Sequence, residues 1–216
     1  TLWYYKLQVL CFDGFIKHHN VGIVGGHSVS IHKVPYIVSL RLNGTHHWCG
    51  GSIIHEQFVL TAAHCIVPNR EYKVLVGTDK VHEGGKLYDV EKILIHQKYS
   101  NKTNDYDICI LKLNETLTFG PKVDKIDLIN PKIRLARRTM LNATGWGYTK
   151  VGKATTDISE GDGDSGGPLT KNKMQVGVTS FGAGCGVNPG VYTKISVFNK
   201  WIKECSIVRK NLGYLV

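Results

Sequence analysis

The feature that most constrains this chain is its rhythm of short apolar runs broken by turns. Runs rich in Val, Ile, Leu, Phe and Tyr occupy 36–42, 47–54, 58–61, 72–76, 87–95 and 108–113. Runs of this length and composition read as strands, and their close spacing reads as a β-barrel or sandwich. Asn43-Gly44 separates the first two runs. Both residues tolerate a positive φ, so the pair marks a tight hairpin. Three further runs, 139–145, 175–181 and 190–194, read as strands of a second unit. Near the C-terminus the period changes. Val197, Trp201, Cys205 and Val208 recur at three- and four-residue intervals, with Ser196 placed as an N-cap. That pattern predicts one amphipathic helix. The fold class is therefore all-β with a C-terminal α-helix.

A length of 216 residues suits one domain or two packed halves, and 42% hydrophobic residues suffice for a sizeable core. No apolar run approaches the ~20 residues that span a bilayer. The apolar patch 7–12 is bracketed by Lys6 and Asp13, so residues 1–22 do not read as a clean signal peptide. The net charge is +10, with basic clusters at Lys132, Arg134, Arg137 and Arg138, and at Lys194, Lys200, Lys203, Arg209 and Lys210. Such a surface is ordinarily a solvated one; the sharper reading is affinity for an acidic polymer such as a sulfated glycan. No nucleic-acid motif accompanies it. Six cysteines contain no CxxC pair, which argues against zinc. Sequons begin at Asn43, Asn101, Asn114 and Asn142, in keeping with secretion; the last abuts Gly145-Trp146-Gly147 and is expected to stay unmodified.

Three motifs carry chemistry. Gly163-Asp164-Ser165-Gly166-Gly167-Pro168 is a glycine-rich turn that presents one hydroxyl and frees backbone N–H groups. Thr61-Ala62-Ala63-His64-Cys65 sets a histidine at a strand end, and Asp107 directly precedes the apolar run 108–113. Serine is barely ionised at neutral pH and needs a neighbouring base, which a histidine supplies. A carboxylate on the histidine's other nitrogen fixes its tautomer and stabilises the imidazolium.

With Ile23-Val24-Gly25-Gly26, these motifs resemble the chymotrypsin/trypsin family of serine endopeptidases over nearly all of residues 23–216. The resemblance implies two packed antiparallel β-barrels, a leader or pro-segment at 1–22, and a protease domain at 23–216. It implies a secreted, monomeric hydrolase without metal or cofactor, acting on protein and peptide substrates and met by protein protease inhibitors, with no nucleic acid or membrane partner. His64, Asp107 and Ser165 would form the catalytic triad, with Asp105 a rival carboxylate two residues earlier. The N–H groups of Gly163 and Ser165 would form the oxyanion hole. Cleavage before Ile23 would free an α-amino group that pairs with Asp164. Cys49 and Cys65 would be disulfide-bonded, which implies an oxidising compartment.

The chain also departs from the pattern. Only seventeen residues separate Gly147 from Ser165, so the second barrel is expected to be incomplete. Gly22 stands where the family carries Arg or Lys. By resemblance the specificity pocket has Ser159 at its base and Ser180, Phe181, Gly182 and Gly190 as walls. That lining favours large apolar side chains. Gly161 replaces a cysteine, which orphans Cys185. If the short stretch shifts the register, Asp157 or Glu160 lines the pocket and basic residues are favoured. Cys11, Cys109 and Cys205 have no assigned partners. Cys109 reads as a small core residue. A non-catalytic homologue acting as a binding or regulatory module is the alternative.

Overall fold

The computed structural model describes residues 3–12, 15–18, 27–146, 165–182 and 190–207. In chain order the strands are β1 (Trp3–Phe12), β2 (Phe15–His18), β3 (His27–Ser28), β4 (Ile37–Leu42), β5 (His46–His55), β6 (Phe58–Thr61) and β7 (Tyr72–Val76). They continue with β8 (Lys86–Ile95), β9 (Cys109–Leu113), β10 (Asp127–Leu128), β11 (Thr139–Gly145), β12 (Pro168–Lys171), β13 (Met174–Gly182) and β14 (Gly190–Lys194). One helix, α1 (Ile195–Ile207), follows directly.

Strands β4 to β9 close a six-stranded antiparallel barrel in the order β4-β5-β6-β9-β8-β7. Sequence and structure agree here within a residue or two, because each strand carries its own β-branched and aromatic signal. Asn43 and Gly44 have φ of 52° and 76°, the mirror-image turn their sequence predicts. All four residues of β6 are buried, as are four of the five in β9. These strands are covered on both faces: by the barrel interior and by the second half of the molecule.

The second half is a mainly antiparallel sheet. Strand β11 pairs with β12, β12 with β13, and β13 with β14. The sequence assigned no strand to residues 1–22. The hairpin β1–β2 nonetheless pairs with β11 on one side and β14 on the other. The pairings therefore run round a ring of six strands, two of which come from the N-terminal segment. The short stretch before Ser165 lies outside the described residues.

The two halves share one core. Ile53, Phe58 and Leu111 of the first belong to the same buried cluster as Leu141, Leu169 and Val178 of the second. A buried hydrogen bond crosses the seam, from the Ser52 hydroxyl to Gln175 Oε1 at 2.7 Å. The helix forms where expected, but its stripe is displaced. Ile195, Phe198 and Ile202 are buried, Trp201 and Cys205 are half-buried at the margin, and Val197 is 56% exposed. At about 100° per residue, Val197 falls a quarter-turn or more off the line through Phe198 and Ile202. Ser196 lies inside the first turn and is not the cap. Val208 lies outside the described residues. Asn199 donates from Nδ2 to the Ile129 carbonyl at 2.8 Å, fixing α1 to the segment after β10.

Candidate active site

Asp107 sits at the head of β9, fully buried. Its carboxylate accepts three hydrogen bonds. The His64 backbone N–H reaches Oδ1 at 2.9 Å, and His64 Nδ1 reaches Oδ2 at 2.7 Å. The Ser180 hydroxyl also donates to Oδ2. Burial pushes the Asp107 carboxyl up. The bonds from the His64 ring, Ser180 and the His64 backbone outweigh it, and the group stays below the ordinary carboxylate range. The Asp107 backbone carbonyl accepts from the Thr193 hydroxyl at 2.7 Å. Donors from both halves thus converge on one residue.

His64 lies in a short 3-10 turn, Ala63–Cys65, at the end of β6. With Nδ1 facing Asp107 and donating, Nε2 is left as the acceptor. The side chain is 26% exposed, open enough to meet a substrate and sheltered enough to hold one orientation. The neighbouring Cys49–Cys65 disulfide joins this turn to β5. Trp48 Nε1 donates to the Cys65 carbonyl at 2.8 Å and braces the same turn. Both disulfide sulfurs lie within 4.8 Å of a His64 ring nitrogen. They are bonded to each other, so they are not thiolates available to a metal.

Ser165 is carried by a turn packed directly against the first barrel. Its carbonyl accepts from the Gly50 N–H at 2.7 Å. Gly166 N–H donates to the Thr179 carbonyl at 2.8 Å, and the Thr179 N–H donates to the Gly167 carbonyl at 2.9 Å. Gly166 has φ of +78°, and a Cβ there would strike Thr61 Oγ1 and the Gly50 carbonyl. A Cβ on Gly50 would in turn lie 3.0 Å from Gly167 Cα. Glycine is required at both positions, because backbone meets backbone between the turn bearing Ser165 and the strands leading to His64.

Asp105, the rival carboxylate, is half-buried and accepts from the Thr103 hydroxyl at 2.7 Å. Asp107 is the partner of His64. Ser180 was expected as a pocket wall; its hydroxyl is committed to Asp107 and its side chain is 1% exposed. Phe181 and Gly190 lie across the β13–β14 ladder, Phe181 opposite Val191 and Gly182 opposite Gly190. Phe181 is 43% exposed. Ile23, Ser159, Gly161, Gly163, Asp164 and Cys185, with Asp157 and Glu160, lie outside the described residues. Thr193, Gly50 and Thr61 were missed. Nothing local marks Thr193, since its partner is eighty-six residues away. Cys109 is fully buried, and burial pushes its thiol far up, so it is a packing residue.

The trypsin family model matches residues 23–162 and 152–202. This chain belongs to the trypsin family. Trypsin 5G1 of Aedes aegypti is 32% identical over 225 residues, covering 85% of this chain and 85% of that protein. Trypsin-4 of Rattus norvegicus is 34% identical, covering 84% of this chain and 89% of its own length. Among solved structures, neuropsin, a serine protease expressed in the limbic system of mouse brain, aligns with a TM-score of 0.71 at 27% identity. It covers 85% of this chain and all of its own. The all-β fold, the family and the hydrolase class expected from the motifs are borne out. The chain is a serine endopeptidase, and proteins are its substrate class.

Proposed function

We propose that this chain hydrolyses peptide bonds through Ser165 as nucleophile, His64 as general base and acid, and Asp107 as the group that orients and stabilises the histidine. The observation that carries the reading is the double engagement of His64 by Asp107, through backbone N–H and ring Nδ1 at once. Nε2 takes the Ser165 proton as Oγ attacks the scissile carbonyl. The resulting imidazolium faces a carboxylate held ionised below its ordinary range. Nε2 then delivers the proton to the leaving amine, and water releases the acyl group by the same steps in reverse. The N–H groups of Gly163 and Ser165 are the proposed donors to the developing oxyanion. No step needs a metal or cofactor.

Activation follows cleavage before Ile23, whose new ammonium pairs with Asp164. Ser159 forms the pocket base, so cleavage follows Phe, Tyr or Leu. An Arg side chain in a neutral pocket is desolvated without compensation. The enzyme is a secreted monomer open to protein inhibitors. Family membership, the disulfide and the sequons support secretion. Among the described residues no helix is long and apolar enough to cross a membrane.

Labelling with a fluorophosphonate tests the triad. Stoichiometric labelling that vanishes in Ser165→Ala and falls steeply in His64→Ala is expected. Absence of labelling in correctly cleaved, folded protein sinks the reading and leaves a non-catalytic binding homologue. A fluorogenic peptide library tests the pocket; dominant turnover after Arg or Lys means that Asp157 or Glu160 lines it.

A further inference from the structure

We propose that residues 3–18 are a strand donor that completes the second barrel, and that this segment stays bound to the rest of the chain after a cut before Ile23. The retained segment would be a non-covalent partner of β11, β3 and β14. The cut itself rests on the activation step proposed above; the pairing does not.

Strand β1 pairs antiparallel with β11 at seven consecutive positions, from Trp3 opposite Gly145 to Val9 opposite Thr139. On its other edge β1 pairs with β2 and, through Trp3 and Tyr4, with β3. Strand β2 pairs with β14 through Phe15, Ile16 and Lys17. The 3–18 segment is thus tied to three strands that all lie beyond the cut.

The register also agrees with the sequence pattern. Directly opposed residues in an antiparallel pair share a sheet face. Tyr5 and Leu7 stand opposite Ala143 and Leu141, both buried. Ile16 stands opposite buried Tyr192. Lys6 stands opposite half-buried Asn142, and Gln8 opposite Met140, which is 36% exposed. Over positions 5–8, Tyr5 and Leu7 therefore stand opposite buried residues and Lys6 and Gln8 opposite more exposed ones, while Tyr4, on the face of Lys6, stands opposite buried Thr144. A slip of one residue would put Lys6 opposite buried Leu141 or Ala143. Between Phe12 and Phe15 lie Asp13-Gly14, the dipeptide that two-residue hairpins favour.

The need for such a donor is equally plain. Without β1 and β2, β11 would lose one of its two neighbours, the one paired along all seven of its residues, and β14 would lose one of its two. Both edges would carry unpaired backbone groups beside a core that already contains Leu141 and Tyr192. Only seventeen residues lie between Gly147 and Ser165 to cover them, whereas β1 and β2 bring fourteen strand residues from the other end of the chain. The connection to the site is short. Thr193, opposite Phe15 in the β2–β14 ladder, donates its hydroxyl to the Asp107 carbonyl.

Two measurements on the full chain test this, and neither reads peptidase activity, so a failed triad would leave them untouched. The first is register-specific disulfide trapping. Gln8→Cys with Met140→Cys places two thiols at directly opposed positions, within bridging reach. Lys6→Cys with Met140→Cys is displaced by two residues. Peptide mapping after mild oxidation is expected to find the first bridge in most molecules and the second in at least tenfold fewer. Equal yields would overturn the pairing. In the second, residues 18–22 are replaced by Asp-Asp-Asp-Asp-Lys, and the chain is cut by enteropeptidase. The 1–22 fragment is expected to elute with the remainder on size exclusion and to appear as a complex in native mass spectrometry. Its quantitative release would overturn retention, whether or not the remainder stays folded.

Discussion

Substituting Gly166→Ala probes how tightly the turn bearing Ser165 must dock. The residue has φ of +78°, a region where an L side chain costs about 1–2 kcal/mol. The added methyl would also overlap Thr61 Oγ1, lie 2.5 Å from the Gly50 carbonyl oxygen and 3.2 Å from the Ala62 nitrogen. Two of these three neighbours are backbone, so no flexible side chain can simply turn away. Relief requires the turn to back off from β5 and β6, and overpacking of this kind costs about 1–3 kcal/mol. Together these give roughly 2–5 kcal/mol, or a melting point lower by about 4–20 °C for a chain of this size. The kinetic effect is expected to be sharper. A retreat near 1 Å moves Ser165 relative to His64, and misplacement on that scale costs on the order of a hundredfold in rate. Gly120→Ala is the control, since a Cβ there meets nothing within 4 Å. Fluorophosphonate labelling and thermal melting of wild type and both variants provide the assay. Labelling of Gly166→Ala within twofold of wild type would refute the claim that backbone contact with Gly50 and Thr61 sets the position of Ser165.

Asp107→Asn is expected to lower the labelling rate by about 10⁴-fold with little change in fold, because the amide no longer holds His64 in the donating tautomer. Asp107 is held below its ordinary pKa, so its contribution to stability is full above the unfolded value near pH 4 and is lost as pH falls through the folded one. Urea midpoints measured across that acid window should fall in wild type and flatten in Asp107→Asn. His96 is depressed by burial and then by Lys98, so the neutral ring stabilises the fold above about pH 6.5 and that contribution is lost as pH drops below it. His96→Gln should remove the part of the stability–pH slope lying just below that value. Replacing Cys49 and Cys65 with Ser opens a loop of sixteen residues and should cost about 3 kcal/mol in denaturant melts.

What was legible in the sequence follows from how local the signal is. Strands β4 to β9 announce themselves through contiguous β-branched runs, and Asn43-Gly44 through its turn chemistry, so the first barrel could be drawn almost residue by residue. The pairing of His64 with Asp107 was legible because each sits in a specific local string. The helix was legible as a helix but not in its rotation, because Trp201 and Cys205 lie at the margin of the stripe and suggested a centre that Ile195 and Ile202 correct. The hairpin β1–β2 was missed for a different reason. Its apolar positions alternate with Lys6 and Gln8, and read alone such a stretch near a chain start resembles a broken leader. Only its register places Tyr5 and Leu7 opposite buried Ala143 and Leu141. The role of Ser180 was missed likewise, since its partner Asp107 is seventy-three residues away.

The buried carboxylate of Asp107 explains why fold and site are difficult to separate in this molecule. An isolated charge at full burial would be expelled or neutralised. Here it is retained because His64 arrives from the first half and Ser180 from the second, while Thr193 secures the carbonyl of the same residue. His64 and Asp107 both lie on the first barrel, whereas Ser180 and Thr193 reach Asp107 only when the two halves are seated, so the halves are drawn together partly by the need to satisfy that charge. The same interdependence extends outward along strands. Ser180 belongs to β13, Thr193 to β14, and β14 is flanked by β13 on one side and β2 on the other. Loosening β2 would therefore be felt first in the ladder position opposite Phe15, next in the Thr193 hydroxyl, and only then at the carboxylate that orients His64. A substitution on this path should change the pH profile of stability before it changes the contacts of His64 itself, because Asp107 loses a brace on its backbone while its side-chain bonds to the histidine remain.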